Sequence, residues 1–398
     1  DARLAWPAPR APADAIDAAE HDLSTLGHLL HAPAAERING GAQYLVELNP
    51  HLARALRSRF WRWEKKRWSE LDGMVRTTPE TEPALAKQRL TARPYSPSAL
   101  ERYAVCPYRF YLASIVGLER RTPPTPLAQL DPLTRGKLFH RVQAATLRAL
   151  AAAGALPVTP ATLPAAEPVL AATLAAVAAR LHDELAPPIP RLWEDEIAAL
   201  RGDLLYWLRH LAEHSDVWHP EYFELGFGLR ADAERDPRSQ AAPVQLAGGA
   251  QLRGAVDLVE RRADGRALRV TDHKTGAERG SDGLVIGGGE MLQPVLYGLA
   301  VEAALQTPVS EARLFYCTAR GGFAERVVPL DERARAQGRE VLEVIDQAIA
   351  SGFLPPAPRQ GACAHCDFRS VCGPHEEERL RRKEAPPLAA LAALRQRP

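Results

Sequence analysis

A surplus of either charge is what this chain of 398 residues most plainly lacks: 50 Lys and Arg stand against 49 Asp and Glu, a formal net charge of +1. Without a global basic excess, contact with a polyanion has to rest on local patches rather than on the field of the whole molecule. Cysteine is scarce, five in all, which excludes a disulfide scaffold. Lysine is scarcer than arginine, with only Lys65, Lys66, Lys87, Lys137, Lys274 and Lys383. No apolar run approaches the roughly 20 residues of a membrane span, and no charged-then-apolar opening reads as a secretory leader. No G-x-x-x-x-G-K-[ST] loop is present, so ATP hydrolysis of that kind is not expected. The chain starts at Asp1 rather than at methionine, as a piece of a longer polypeptide would. These absences predict a globular protein of a reducing, cytoplasmic compartment with no membrane partner, long enough for two or three domains.

What is present begins with helix. In 1–90 apolar positions recur at helical spacing, clearest over 15–30. The stretch 52–71 interleaves Phe60, Trp61, Trp63 and Trp68 with Arg57, Arg59, Lys65, Lys66 and Arg67. That mixture suits either stacking on a single nucleic-acid strand or an amphipathic helix with a packed aromatic face. Ser98-Ala-Leu-Glu101 predicts a capping box and a helix through Tyr103, interrupted at Cys106-Pro107. Arg135-Gly-Lys-Leu-Phe-His140 opens a long Ala/Leu-rich helix. Pro-rich segments around 157–168 and 187–190 separate further helices, so 120–217 reads as a helical region.

The pattern then turns to period two. Phe223, Leu225, Phe227 and Leu229 are expected on one strand face, with Tyr222, Glu224, Gly226 and Gly228 on the other. Strands over 252–260 and 267–274 meet at an Ala263-Asp264-Gly265 turn. A helix over 291–304 follows, then strands over 313–318 and 323–328 around Gly321-Gly322, then a helix over 331–349. The order β-β-β-α-β-β-α predicts a small α/β core. A charged helix after Cys372 and an Ala/Leu tail after Pro387 close the chain.

Two constellations carry chemistry. On a strand, Asp272 and Lys274 share a face and His273 points away; Asp257, on the preceding strand of the same hairpin, converges with them. Two hard carboxylates suit Mg²⁺ or Mn²⁺, and a compact ammonium can orient one water as a guanidinium cannot. A hairpin with surface Asp and Lys matches the same pattern. Gln293 and Tyr297, at i and i+4, share a helix face. His140 could complete a metal shell, and Glu224, beside two glycines on its strand face, could be a supporting acid. The second constellation is Cys363-x2-Cys366-x5-Cys372 with Cys106 far upstream. Four thiolates hold either Zn²⁺ or a cubane cluster, and spacing alone leaves both open. Cys317, on a strand, reads as a packed core thiol.

In chain order, Arg135-Gly-x3-His140, Gly254-x2-Asp257, Asp272-His-Lys274-Thr-Gly276 and Gln293-x3-Tyr297 resemble the motifs of the RecB-type branch of the PD-(D/E)XK nucleases, over about 95–374. The resemblance implies a restriction-endonuclease-like core, a mixed sheet flanked by helices. It implies Asp257, Asp272 and His140 as metal ligands, Lys274 as the catalytic lysine and Gln293 and Tyr297 as supporting residues, with Glu224 the loosest match. Ser96-Pro-Ser-Ala-Leu-Glu-Arg-Tyr-Ala-Val-Cys106-Pro-Tyr-Arg-Phe110, with the Cys363–Cys372 run, is similar to the iron-staple nucleases: the AddB type and, more distantly, the Cas4 and Dna2 types. That implies a [4Fe–4S] cluster on Cys106, Cys363, Cys366 and Cys372, pinning the ends of a nuclease domain over 91–380 with a helical insertion at 120–217. Residues 1–90 would be the remnant of a helicase-like region and 381–398 a tail. The activity implied is Mg²⁺-dependent DNA exonuclease action in double-strand-break processing and recombinational repair, beside an AddA-like helicase–nuclease partner. A stand-alone Cas4-like or Dna2-like single-strand exonuclease, or a non-cleaving DNA-end-binding scaffold, are the alternatives that metal-dependent turnover separates.

Overall fold

The computed structural model describes residues 8–31, 33, 43–48, 50–64, 66–120, 130–187, 189–230, 232, 234–278 and 283–398. Lys65, and 121–129 of the expected helical region, lie outside the described residues. The chain divides into two units, 1–72 with 381–384 and 73–380 with 385–398.

The smaller unit carries helices Ala18–His31, Gln43–Leu48 and Pro50–Glu64. Residues 381–384 join it through Lys383, whose Nζ lies 2.9 Å from Asp72 Oδ2 with both side chains fully buried. Trp68 Nε1 donates to the Glu384 carbonyl at 3.0 Å. Of the aromatic residues expected here on one packed face, Phe60 and Trp61 are exposed. Trp63 instead lies under the guanidinium groups of Arg59 and Arg382, 5.7 and 5.3 Å from its ring centre.

In the larger unit the main helices are α1 (Pro97–Val105), α2 (Pro132–Ala152), α3 (Leu163–Leu185), α4 (Pro190–Glu213), α5 (Gln293–Leu305) and α6 (Glu332–Ala350). Strands β1 (Trp218–Phe227), β2 (Gly254–Arg262), β3 (Leu268–Lys274), β4 (Val309–Tyr316) and β5 (Glu325–Pro329) form one sheet in that spatial order. Neighbours are antiparallel except β3 and β4, which are parallel. Parallel neighbours need a crossover, and α5 supplies it. The expected order of strands and helices is therefore present, with β4 starting earlier than the periodicity suggested.

The sheet is buried on both faces. Leu225, Phe227, Val256, Val270 and Val309 pack with Leu100, Val295, Leu296, Val341 and Ile345 of α1, α5 and α6. On the other side Phe223, Leu258, Phe315 and Cys317 pack with Phe139, Val142, Leu204, Trp207 and Leu208 of α2 and α4. Helices on both faces of a mixed sheet give an α/β layered architecture. Cys317 is fully buried there, a small hydrophobe as expected.

Three local readings change. The helix at 97 is capped by Ser96, whose hydroxyl accepts from Ala99 N at 3.2 Å with Pro97 in the first turn, rather than by Ser98. Glu101 is thereby released from a capping box. In β1 the period-two expectation breaks at Glu224, which has a left-handed φ of 57°. The reversal puts Phe223 in one core and Leu225 and Phe227 in the other. Lastly, α3 runs on through Pro168. Among the described residues it is the one helix long and apolar enough to pass for a membrane span, contrary to the sequence reading. Its alanines carry the hydropathy, and Leu170, Leu174, Val177 and Leu181 bury against α2 and α4.

Candidate active site

The register of three strands lines up three acids. Phe223 pairs with Leu258 and Leu225 with Val256, and Leu258 pairs with Thr271. Glu224, Asp257 and Asp272 therefore fall side by side across β1, β2 and β3. Helix α2 brings His140 to this strip, its Nδ1 3.2 Å from Asp257 Oδ1. His140, Glu224 and Asp257 each present a ligating atom, all within 4.8 Å of one another. Asp272, one residue along in the strip, turns to Lys274, whose Nζ lies 2.5 Å from its Oδ2. Asp257, Asp272, Lys274, His140, Gln293 and Tyr297 all line one cleft, and Glu224 is with them. Every sequence-derived member of this constellation is thus brought together; the difference lies in which acids crowd closest to His140.

The electrostatics are those of a cluster short of positive charge. Burial raises Asp257, yet the imidazolium of His140, by charge and by hydrogen bond, holds it at about 2. Burial lowers His140, but Asp257, with Glu224 and Asp272 behind it, outweighs that and lifts it to about 9. Glu224 is pushed up to about 8 by burial and by the Asp257 charge. Asp272 is raised, burial prevailing over the pull of Lys274. Free of a cation, the cluster therefore keeps protons on His140 and Glu224 near neutrality. A divalent ion would take the place of those protons. One imidazole and two carboxylates are a donor set suited to such an ion.

The supporting contacts explain the motif residues. Lys274 Nζ donates to Gln293 Oε1 at 2.5 Å. A Cβ at Gly254 would sit 2.9 Å from the Tyr297 hydroxyl oxygen, so the glycine lets that ring reach the cleft. A Cβ at Gly136 would come within 3.2 Å of Thr275 Oγ1, where the α2 motif meets the end of β3. Sequence reasoning missed two further residues. Glu101 Oε1 accepts from Leu292 N at 2.8 Å and Gln293 N at 3.3 Å, seating the first turn of α5. Burial raises this carboxyl to about 7. Trp207 of α4 donates through Nε1 to His273 Nε2 at 3.2 Å. Burial keeps His273 neutral, its pKa down at about 3, while its backbone N–H donates to Asp257 Oδ2 at 2.6 Å. The signal for Glu101 was its place in a helix whose cap was misassigned; for Trp207 there was none.

In a pocket that shares no residue with this cleft, Cys106, Cys363, Cys366 and Cys372 gather with Leu112 and Phe368. Among the described residues no three of these sulfurs lie within 4.8 Å of one another. Burial pushes the Cys106 thiol up, and burial with the nearby Glu377 pushes Cys363 to about 11. Arg395 ties the pocket's backbone together, donating to the carbonyls of Ala104 at 2.7 Å, Val105 at 3.1 Å and Ala357 at 2.7 Å.

A family model described as the PD-(D/E)XK nuclease superfamily matches residues 94–373. Comparison with curated proteins finds no match.

Proposed function

This chain belongs to the PD-(D/E)XK nuclease superfamily, and on that premise we propose that it is a Mg²⁺-dependent deoxyribonuclease that removes nucleotides from DNA ends. The observation that carries the reading is the convergence of Glu224, Asp257 and Asp272 across three strands with His140 on one side and Lys274 on the other. His140, Asp257 and Glu224 would hold the ion, with Asp272 completing its shell through the site shared with Lys274. When bound, the ion supplies Lewis-acid polarisation of the scissile phosphate and a more acidic water. Lys274, fixed by Asp272 and Gln293, orients the attacking water and balances charge as the phosphorane forms. Tyr297, set against Gly254, and Gln293 shape the floor on which the strand lies.

We read the four cysteines, which line one pocket, as holders of a [4Fe–4S] cluster, as their resemblance to the iron-staple nucleases implies. Such a cluster would join Cys106, at the end of α1, to residues that follow α6. The helical region ahead of β1 and the further chain ahead of α1 support an AddB-type subunit acting in double-strand-break repair beside an AddA-like helicase–nuclease.

The test is hydrolysis of end-labelled DNA by anaerobically purified protein stripped with EDTA and resupplied with Mg²⁺, alongside metal analysis. Cleavage restored by Mg²⁺, with about four irons per chain, is the expected result. Cleavage that persists in EDTA contradicts the metal mechanism, and stoichiometric zinc contradicts the cluster.

A further inference from the structure

The cleft that holds the acidic strip also carries positive charge. Lys137, Arg141 and Arg148 recur along one side of α2 at helical spacing, and Arg180 reaches in from α3. All four line the cleft that holds His140 and Asp257. In a chain with a net charge of +1, this is a local concentration rather than a share of a generally basic surface.

Two of these cations converge on one carboxylate. Arg141 Nε lies 2.9 Å from Glu234 Oε2, and Arg180 Nη2 lies 3.4 Å from Glu234 Oε1. Arg148 is differently engaged, donating to the backbone carbonyls of Phe223 at 3.2 Å and Glu234 at 2.5 Å, so it fixes the backbone while the other two grip the side chain. This trio is open to water: the Arg141, Arg180 and Glu234 side chains are 36%, 58% and 41% exposed. Ion pairs this exposed hold weakly, so another anion can replace the carboxylate. Guanidinium groups from two helices around two oxygens form a fork that a phosphate fills with more charge and more acceptor oxygens than a carboxylate.

We infer that Arg141 and Arg180 form a phosphate-binding subsite for the nucleic-acid strand beside the scissile position, and that Glu234 occupies it as a phosphate surrogate until the strand arrives. The inference rests on the nuclease reading above. It adds which cations hold the backbone, and that one acidic side chain competes with substrate for them.

The experiment measures binding of a labelled single-stranded oligonucleotide by the full chain carrying Lys274→Ala, across a range of NaCl concentrations. Removing one cation that neutralises a phosphate should reduce the magnitude of the log K against log[salt] slope by about 0.7. Arg141→Ala with Arg180→Ala should therefore flatten the slope by about 1.4 and weaken binding at low salt. Glu234→Gln should do the opposite, tightening binding several-fold, and should have no effect once both arginines are gone. A purely structural role for the pair would move both sets of variants in the same direction. An unchanged slope in the arginine variants, or weaker binding by Glu234→Gln, overturns the subsite while leaving the nuclease reading intact. No binding by the Lys274→Ala parent, in a preparation whose wild-type counterpart also fails to cleave, overturns the nuclease reading and the subsite with it.

Discussion

Asp257 is engaged from both sides: it faces the imidazole of His140 with one oxygen and accepts the His273 backbone N–H with the other. Asp272, by contrast, lies beyond the closest group and pairs with Lys274. The two acids should therefore fail differently. Asp257→Ala should lower Mn²⁺ affinity, measured by calorimetry, by more than the ~10–100-fold typical of outer-shell losses. Asp272→Ala should abolish turnover with a smaller fall in affinity; equal losses would remove the distinction. Much of this was legible at residue level, because Asp272 and Lys274 must share a strand face whatever else the chain does. What sequence could not give was the prominence of Glu224. It reaches the ligand group through a left-handed backbone, a conformation that side-chain periodicity does not encode. Trp207 was equally silent, since a helix residue that orients His273 from behind looks like any core aromatic.

At the scale of elements, a half-buried carboxylate of α1 seats the start of α5. Glu101 bonds the first peptide groups of α5, whose first residue, Gln293, accepts from Lys274. Glu101→Ala should cost stability of about 1 kcal/mol, as the removal of a helix cap does. It should also lower kcat about tenfold or more while DNA affinity stays, because small misplacements of a catalytic group are costly. Glu101→Gln should restore most of kcat, since an amide oxygen accepts the same bonds. Loss of affinity in step with kcat, or no rescue by glutamine, would contradict this positioning role. The hairpin, the crossover helix and the closing strand pair were readable because their turns and periods are local. The cap at Ser96 was misread by two residues because both serines fit a capping pattern and only Pro97 discriminates between them.

At the scale of the molecule, long-range convergence decides what sequence spacing leaves open. Cys106 reaches the pocket of Cys363, Cys366 and Cys372, whereas Cys317 is sealed in the layer between the sheet and α2 with α4. Cys106→Ser should lose iron and melt at a lower temperature, and Cys317→Ser should keep its iron; the reverse pattern in metal analysis would sink the assignment. The far end of the sheet is held by a buried ion network that no motif announced. Glu260 accepts two bonds of 2.8 Å from Arg269 and lies 3.2 Å from Arg313, and Arg313 reaches Glu325 at 2.8 Å. Burial raises Glu260, but Arg313 and Arg269 overcome it and hold the carboxyl at about 2 against an ordinary 4.5. A depressed carboxyl pKa stabilises the fold fully above the ordinary value, and that contribution is lost as pH falls toward the folded value. Denaturation midpoints should therefore drop between about pH 4.5 and pH 2, and Glu260→Gln, which leaves two buried arginines underpaired, should cost about 3–5 kcal/mol. A flat acid profile would contradict the network's weight. All these scales meet in the cleft, where Lys274 contacts Asp272 and shares the lining with Glu224 and Asp257, and where the proposed mechanism has it orient the attacking water. The most direct test is single-turnover cleavage of end-labelled DNA in saturating Mg²⁺ by the wild type, Lys274→Ala and Lys274→Arg, with binding measured in parallel. Rapid cleavage by the wild type, its loss in both variants and unchanged binding in all three is the predicted result; wild-type rates in either variant would contradict the account.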